Sequence, residues 1–254
     1  MSLEIFKLTG KVAMVTGSTR GLGEVAALAL AKAGADVAVC GRNTDDLKRV
    51  SSAITALGRK SAGYHMDVTS RDSIHNGVEQ ILKHFDKVDI LVNNAGVNHR
   101  QPVVEYPEEM WDLVITTNLK GCFLVAQAVV PQMLQRGYGK VINLSSIMGA
   151  VGLPNQVAYA SSKGGVNQMT KVMALEWAKN GVTVNAVGPT YFATELNIQI
   201  QNDPERFNFI NERTPMGRWG NPAELEGVII FLASSASDFI TGQTIYIDGG
   251  WTAW

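Results

Sequence analysis

The sequence predicts an α/β protein: one doubly wound parallel sheet of about seven strands, with helices on both faces. Two observations carry that prediction. Short β-branched runs alternate with longer helical patterns along all 254 residues, as right-handed βαβ crossovers require. The runs are apolar throughout, as strands are when helices cover both sides of the sheet. A third observation bounds the domain count. No Pro-, Ser- or Gly-rich linker breaks the alternation, so residues 1–254 read as a single domain.

The elements follow in order. "VAMVT" (12–16) leads into "GLGEVAALALAKAGA", and "DVAVC" (36–40) into "TDDLKRVSSAITALG". "SAGYHMDV" leads into "SRDSIHNGVEQILKHF", and "VDILVNNAG" into a helical stretch from about Pro107 to Met133. "KVINLSS" (140–146) precedes a helix holding Tyr159 and Lys163. "VTVNAVGP" (182–189) precedes a long irregular stretch, then "AELEGVIIFLA", and "QTIYIDGG" (243–250) closes the order. The irregular stretch, 190–221, is too long for an ordinary connection and leaves a strand's carboxyl end, where such sheets bind ligands. It is expected to be a lid or substrate loop.

Composition narrows the function. A formal net charge of −1 gives no basic field for nucleic acid or membrane. The two cysteines, Cys40 and Cys122, form no C-x-x-C pair, which fits neither a zinc site nor a disulfide framework. No metal is expected. The start, "MSLEIFKLTGK", lacks the apolar core of a signal peptide, and no apolar run reads as long enough to span a bilayer. A cytoplasmic protein is the expectation.

"TGSTRGLG" (16–23) sits between the first strand and the first helix. Gly17, Gly21 and Gly23 let the chain turn tightly and let backbone approach a phosphate at the positive end of a helix. The intervening Thr19, Arg20 and Leu22 belong to the same loop. The second strand ends "VAVCGRN": Gly41 stands where an acid would meet the ribose hydroxyl of NAD(H), and Arg42 follows. Arg20 and Arg42 without a carboxylate suit the 2′-phosphate of NADP(H), leaving NAD(H) as the lesser partner. Asp67 can accept from an adenine amino group or cap the helix beginning near Ser70.

"TGSTRGLG", "NNAG" (93–96), Asn118 in "TTNLKG", Ser146 in "NLSS" and "YASSK" (159–163) occur in this order over nearly the whole chain. In this the sequence resembles the short-chain dehydrogenases/reductases, single-domain enzymes with a Rossmann-like fold. The resemblance implies that Gly17, Gly21 and Gly23 cradle the pyrophosphate, and that Asp67 and Val68 face the adenine. It implies that Asn94, Ala95 and Gly96 pass the adenosine ribose, and that Asn118, Ser146, Tyr159 and Lys163 form a catalytic tetrad. Ser146 is preferred over Ser145 because the family's serine lies thirteen residues before its tyrosine. Pro189 and Thr194 match the family's residues near the nicotinamide. Thr190 departs from the family's glycine; if the position needs φ > 0, a β-branched residue there is strained.

Tyr159 and Lys163 are four residues apart in a helical stretch, hence on one face. An ammonium beside a phenol is expected to lower its pKa, so that Tyr159 exchanges a proton with an alcohol or carbonyl while Ser146 stabilises the reacting oxygen. For substrate, "NNAGVNHRQPVVE" and the C-terminal part from "RTPMGRWGN" are similar to the family's sugar-acid dehydrogenases, the gluconate 5-dehydrogenases among them. Arg100 is the candidate carboxylate reader, ahead of His99, Arg213 and Arg218. A 3-oxoacyl thioester reductase and a catalytically silent dinucleotide sensor are the alternatives. Apolar residues beyond one stripe in the helix after Tyr159 (Val166, Met169, Val172, Met173, Leu175) and in "ELEGVIIFLA" suggest a homo-oligomer, by resemblance a tetramer that uses these two helices, with the C-terminal "GGWTAW" near a neighbour.

Overall fold

A computed structural model describes residues 3–194 and 197–253. Seven strands form one parallel sheet: β1 (Val12–Thr16), β2 (Asp36–Gly41), β3 (Ser61–His65), β4 (Ile90–Asn93), β5 (Gly139–Leu144), β6 (Val182–Pro189) and β7 (Thr244–Ile247). Their order is β3-β2-β1-β4-β5-β6-β7. The chain winds outward from β1 to β3, then returns to the other side of β1, so the winding reverses between β1 and β4. Ligands bind at such a crevice, outside the strands' carboxyl ends.

The helices are α1 (Gly21–Lys32), α2 (Thr44–Ala56), α3 (Arg71–Phe85), α4 (Glu108–Ile115), α5 (Gly121–Arg136), α6 (Val157–Trp177), α7 (Ile198–Gln201), α8 (Pro204–Arg213) and α9 (Glu226–Ala233). Side chains alternate across the sheet with the strand period of two. Val12, Met14 and Leu91 join a core with residues of α3, α5 and α6. Ala13, Val15, Ile90 and Val92 join a second core with residues of α1, α2 and α9. The central strands are buried on both faces as expected. The edge strands are not: in β3 only Tyr64 is buried, and β7 is partly exposed throughout.

Two expectations need correction. The helix read as ending near Met133 continues to Arg136, and α4 runs into α5 through a π-helical turn, Thr116–Lys120. The joined helix, Glu108–Arg136, is long and apolar enough to cross a bilayer by length and composition, contrary to the expectation from the sequence. Leu124, Val125, Ala126, Val129, Val130 and Met133 of this helix belong to the first core, which explains much of the apolar content.

Residues 190–221 carry α7 and α8 and cover a third cluster formed by Ile147, Met148, Ile200, Ile210, Trp219 and Trp251. The base of the segment is tied by a parallel bridge between Phe192 and Gly220.

Candidate active site

The glycine loop is shaped by what surrounds it. Gly17 and Gly21 have φ of 60° and 57°, a region that suits glycine. A Cβ on Gly17 would lie 2.8 Å from the Ala95 Cα, and one on Gly23 would overlap the Asn94 amide and the Gly17 carbonyl. Asn94 Nδ2 donates to the carbonyls of Thr16 (3.0 Å) and Gly17 (2.9 Å). Thr16 Oγ1 accepts from the backbone N–H groups of Asn94 and Ala95. The "NNAG" stretch therefore braces the glycine loop from β4, and Gly96 lies exposed just beyond. Leu22 packs on the second core. Arg20 is the N-cap of α1 without a side-chain cap bond, so the first amides of α1 point outward toward where an anion fits.

Arg20 and Arg42 are exposed, and neither guanidinium forms a hydrogen bond or ion pair among the described residues. Sequence reasoning missed the brace beneath them. Arg49 holds Glu24 through two hydrogen bonds (2.6 and 2.9 Å) and the Thr19 carbonyl through a third (2.7 Å). Gly41 also gains a steric reason: a Cβ there would lie 2.8 Å from Thr19 Cγ2.

Asp67 follows β3 rather than ending it and does not cap α3, which Ser70 caps instead. Its Oδ1 accepts from the Thr69 N–H (2.9 Å) and hydroxyl (2.7 Å). Burial pushes the carboxyl up, but these bonds and the Arg42 charge outweigh it and hold the group below its ordinary range. Val68 is buried in the first core.

Asn118 lies in the π-helical turn and is 2% exposed. Its Oδ1 accepts from the Val97 N–H (2.8 Å), and its Nδ2 donates to the Val97 carbonyl (2.9 Å) and to Ser162 Oγ (3.1 Å). Ser162 donates in turn to the Tyr159 carbonyl (2.7 Å). This chain of bonds couples the end of β4 to α6, and Ser162 was not singled out in the sequence.

The serines separate cleanly. Ser145 Oγ donates to the Lys163 carbonyl (3.3 Å) and is structural. Ser146 Oγ accepts from the Met148 N–H (3.2 Å) and donates to the Pro189 carbonyl (3.4 Å), and its hydroxyl acts on the Tyr159 phenol, lowering its pKa. Tyr159 is half-buried near the start of α6. Burial raises its pKa, and the Ser146 hydrogen bond and the Arg100 charge oppose that rise. The Lys163 ammonium, 5.5 Å from the Tyr159 ring centre, donates to the Leu144 carbonyl (2.6 Å) rather than to the phenol oxygen. Burial pushes Lys163 down to about 8, with Cys122 opposing.

Arg100 is exposed and forms no hydrogen bond or ion pair among the described residues, yet its charge reaches the phenols of Tyr159 and Tyr191. The competing cations differ. His99 shares a hydrogen bond with Gln101 and packs edge-on against Tyr106. Arg218 grips Glu224 with two bonds, and Arg213 lies over Trp251. Thr190 is not strained. Asp86 and Asn155 are the non-glycine residues with positive φ among those described, and the Thr190 N–H extends the β6–β7 pairing by donating to the Ile247 carbonyl (3.2 Å). Thr194 is half-buried, its N–H donating to the Phe192 carbonyl.

Residues 17–252 match the family model described as enoyl-(acyl carrier protein) reductase. The chain belongs to the short-chain dehydrogenase/reductase family. Among its relatives in that family, gluconate 5-dehydrogenase of Gluconobacter oxydans is 40% identical over 249 residues, 98% of this chain and 97% of that one. The 2-dehydro-3-deoxy-D-gluconate 5-dehydrogenase of Escherichia coli is 42% identical over the full length of both. A crystal structure of gluconate 5-dehydrogenase from Burkholderia cenocepacia, in complex with NADP and tartrate, superposes with a TM-score of 0.97 at 38% identity, covering 100% of each chain. As a short-chain dehydrogenase/reductase, the protein is an oxidoreductase acting on CH–OH groups.

Proposed function

We propose that the protein is an NADP(H)-dependent oxidoreductase that interconverts a secondary alcohol and a ketone on a sugar acid, with gluconate and 5-ketogluconate as the reference pair. One observation carries this reading: the Arg100 guanidinium, unpaired among the described residues, whose charge reaches the Tyr159 phenol, in a chain whose full-length relatives are named for carbon 5 of six-carbon acids. Ser146 and Tyr159 can engage any carbonyl, so a cation is needed to select an acid.

The residues fit a bound dinucleotide: a glycine cradle that side chains would fill, open helix amides, and two arginines whose side chains form no ion pair among the described residues. Gly17 and Thr19 to Gly23 would hold the pyrophosphate, Arg20 and Arg42 the 2′-phosphate, and Asp67 and Val68 the adenine. Asn94 to Gly96 would line the ribose. Lys163 would hold the second ribose, with Pro189 and Thr194 beside the nicotinamide. That ring, when bound, supplies the hydride in reduction and accepts it in oxidation. Tyr159 donates its phenolic proton to the ketone oxygen in reduction and takes it back in oxidation. Ser146 hydrogen-bonds the same oxygen and steadies its developing charge. Asn118 keeps the β4 loop and α6 in register and supports a water path to solvent.

NADPH and NADH oxidation should be followed with 5-ketogluconate, a neutral keto sugar and acetoacetyl thioester. Preference for the thioester would favour the lipid-reductase reading, and cofactor binding without turnover the silent sensor. Tyr159→Phe should lose most turnover yet still bind NADPH; near-normal turnover would remove Tyr159 from the chemistry.

The same reading includes a single domain over 1–254 with 190–221 as lid, a cytoplasmic location and a homotetramer. Exposed apolar residues support the assembly: Val172 and Leu175 on α6, Trp111 and Leu113 on α4, Phe123 on α5. On α9, by contrast, Val228 and Phe231 pack on the second core. In the C-terminal "GGWTAW", Trp251 is buried within its own chain, and Trp254 lies outside the described residues. A stable 27.4 kDa monomer in sedimentation at micromolar concentration would end the oligomer proposal.

A further inference from the structure

Ser146 Oγ donates to the Pro189 carbonyl (3.4 Å), so the chain leaving β6 passes beside the serine that engages the reacting oxygen. Tyr191 stands two residues farther on, a reach of at most about 7 Å along the backbone. It is held by backbone and ring. Its carbonyl accepts from the Gly220 N–H (3.0 Å), and its ring lies against the indoles of Trp219 (5.4 Å between centroids) and Trp251 (5.8 Å). Tyr159 packs against the same third cluster as Tyr191, and two members of that cluster, Ile147 and Met148, directly follow Ser146. Two phenols are thus set on one apolar support beside Ser146.

The proton transfer described above uses only the first of them. The Tyr191 hydroxyl forms no hydrogen bond among the described residues, yet it is not one of the buried polar atoms left without a partner, so it opens to solvent. Burial raises its pKa, so at neutral pH the group is a neutral phenol and can donate. The charges of Arg100 and Arg206 oppose that rise, so both cations lie within electrostatic reach of this phenol. Arg206 is already paired with Asp203 (3.3 Å). Arg100 has no ion pair among the described residues, and its charge also reaches Tyr159. A cation without an anion and a donor without an acceptor therefore serve one place. A lone hydroxyl on a ligand would answer the phenol and leave the cation unmatched. A carboxylate answers both, since an oxygen gripped by a guanidinium keeps lone pairs for a further O–H.

We propose that Tyr191 is a specificity residue whose hydroxyl donates to the substrate's carboxylate while Arg100 supplies the opposing charge. The proposal rests on the sugar-acid reading and adds a neutral donor to it, one contributed by segment 190–221. A hydrogen bond to a charged oxygen is about twice as strong as one to a neutral oxygen. Its loss weighs on an acid and hardly on a neutral analogue, for which water satisfies the phenol equally well.

The test compares 5-ketogluconate with L-sorbose, which has the same 5-keto carbon chain with a primary alcohol in place of the carboxylate. The wild type should favour 5-ketogluconate in kcat/KM. Tyr191→Phe keeps the ring and its contacts with both indoles, and removes a hydroxyl that bonds nothing within the fold, so the variant should fold and bind NADPH as the wild type does. NADPH fluorescence titration checks this. The variant should lower the ratio of the two kcat/KM values by roughly tenfold, mostly through KM for 5-ketogluconate, with L-sorbose little affected. Equal losses on both substrates would make Tyr191 a packing or proton-transfer residue and overturn the proposal. An unchanged ratio would mean that the hydroxyl is only hydrated, and would overturn it too. The wild type alone decides the underlying reading: no preference for 5-ketogluconate over L-sorbose would sink the sugar-acid reading, and the role of Tyr191 with it.

Discussion

The Lys163 ammonium donates to the Leu144 carbonyl at 2.6 Å while standing 5.5 Å from the centre of the Tyr159 ring. The buried cation is thus anchored on the sheet, and burial lowers its pKa from 10.5 to about 8. The unfolded chain holds this proton up to the ordinary value, so between about pH 8 and 10.5 it binds more protons than the folded chain. This group therefore makes folding more favourable as pH rises through that window, by at most about 1.4 kcal/mol per pH unit. Lys163→Met should remove that contribution. The difference in unfolding free energy between wild type and variant, from urea titrations at pH 7 and pH 10, should change by that sign. A difference independent of pH would show that Lys163 keeps an ordinary pKa.

The Arg20 and Arg42 side chains form no ion pair among the described residues, and Arg42 acts on Asp67 only through its charge, so their replacement should cost the fold little. Changing both to neutral residues should raise KM for NADPH at least tenfold, as loss of a charge-assisted phosphate contact of about 1.5–3 kcal/mol implies. KM for NADH should barely move. An unchanged NADPH/NADH preference would place the 2′-phosphate elsewhere.

Arg100→Ala should raise KM for 5-ketogluconate strongly and leave a neutral ketone and NADPH affinity nearly intact. It carries a second signature. The Arg100 charge lowers the Tyr159 pKa, so its loss should move the acid limb of the oxidation pH profile to higher pH. Parallel losses on charged and neutral substrates, with no shift in the profile, would make Arg100 a loop-shaping residue.

Asp89 offers a test of stability far from the chemistry. It is 1% exposed, immediately precedes β4, and accepts from the Val12 N–H (3.0 Å), Arg136 (2.7 Å) and Lys87 (3.0 Å). Burial raises its carboxyl, but these partners outweigh burial and lower it below its ordinary value. Its contribution is present above the unfolded value of 3.8 and is lost as pH falls through the lower folded one. Asp89→Asn should cost about 2 kcal/mol at neutral pH, less than a fully buried pair because Arg136 and Lys87 are about one-third exposed. The loss should shrink in acid, and NADPH affinity should stay unchanged. A loss that persists undiminished below pH 3 would point to packing rather than charge.

The central strands were legible because each is a short apolar run suited to a sheet covered on both faces, and the candidate site residues because they stand in short motifs at characteristic intervals. What was hidden depends on segments distant in sequence. Arg49 reaches Glu24 across 25 positions, and Lys163 finds a carbonyl 19 positions away rather than its helical neighbour. The Thr190 conformation depends on pairing with Ile247, which local preference cannot reveal.

The turn at Thr116–Lys120 separates two properties that usually travel together. A π-helical turn holds one residue more than the α-helix on either side needs. Deleting a residue there would let the 29-residue helix wind evenly, a change the backbone can accommodate. It would also rotate Asn118 away from Val97, whose N–H and carbonyl its amide engages like an added strand residue. A shortened chain of this kind would keep its shape and lose the link from β4 to α6. The surplus residue thus marks the point where an uninterrupted helix has been given up for the placement of a single side chain.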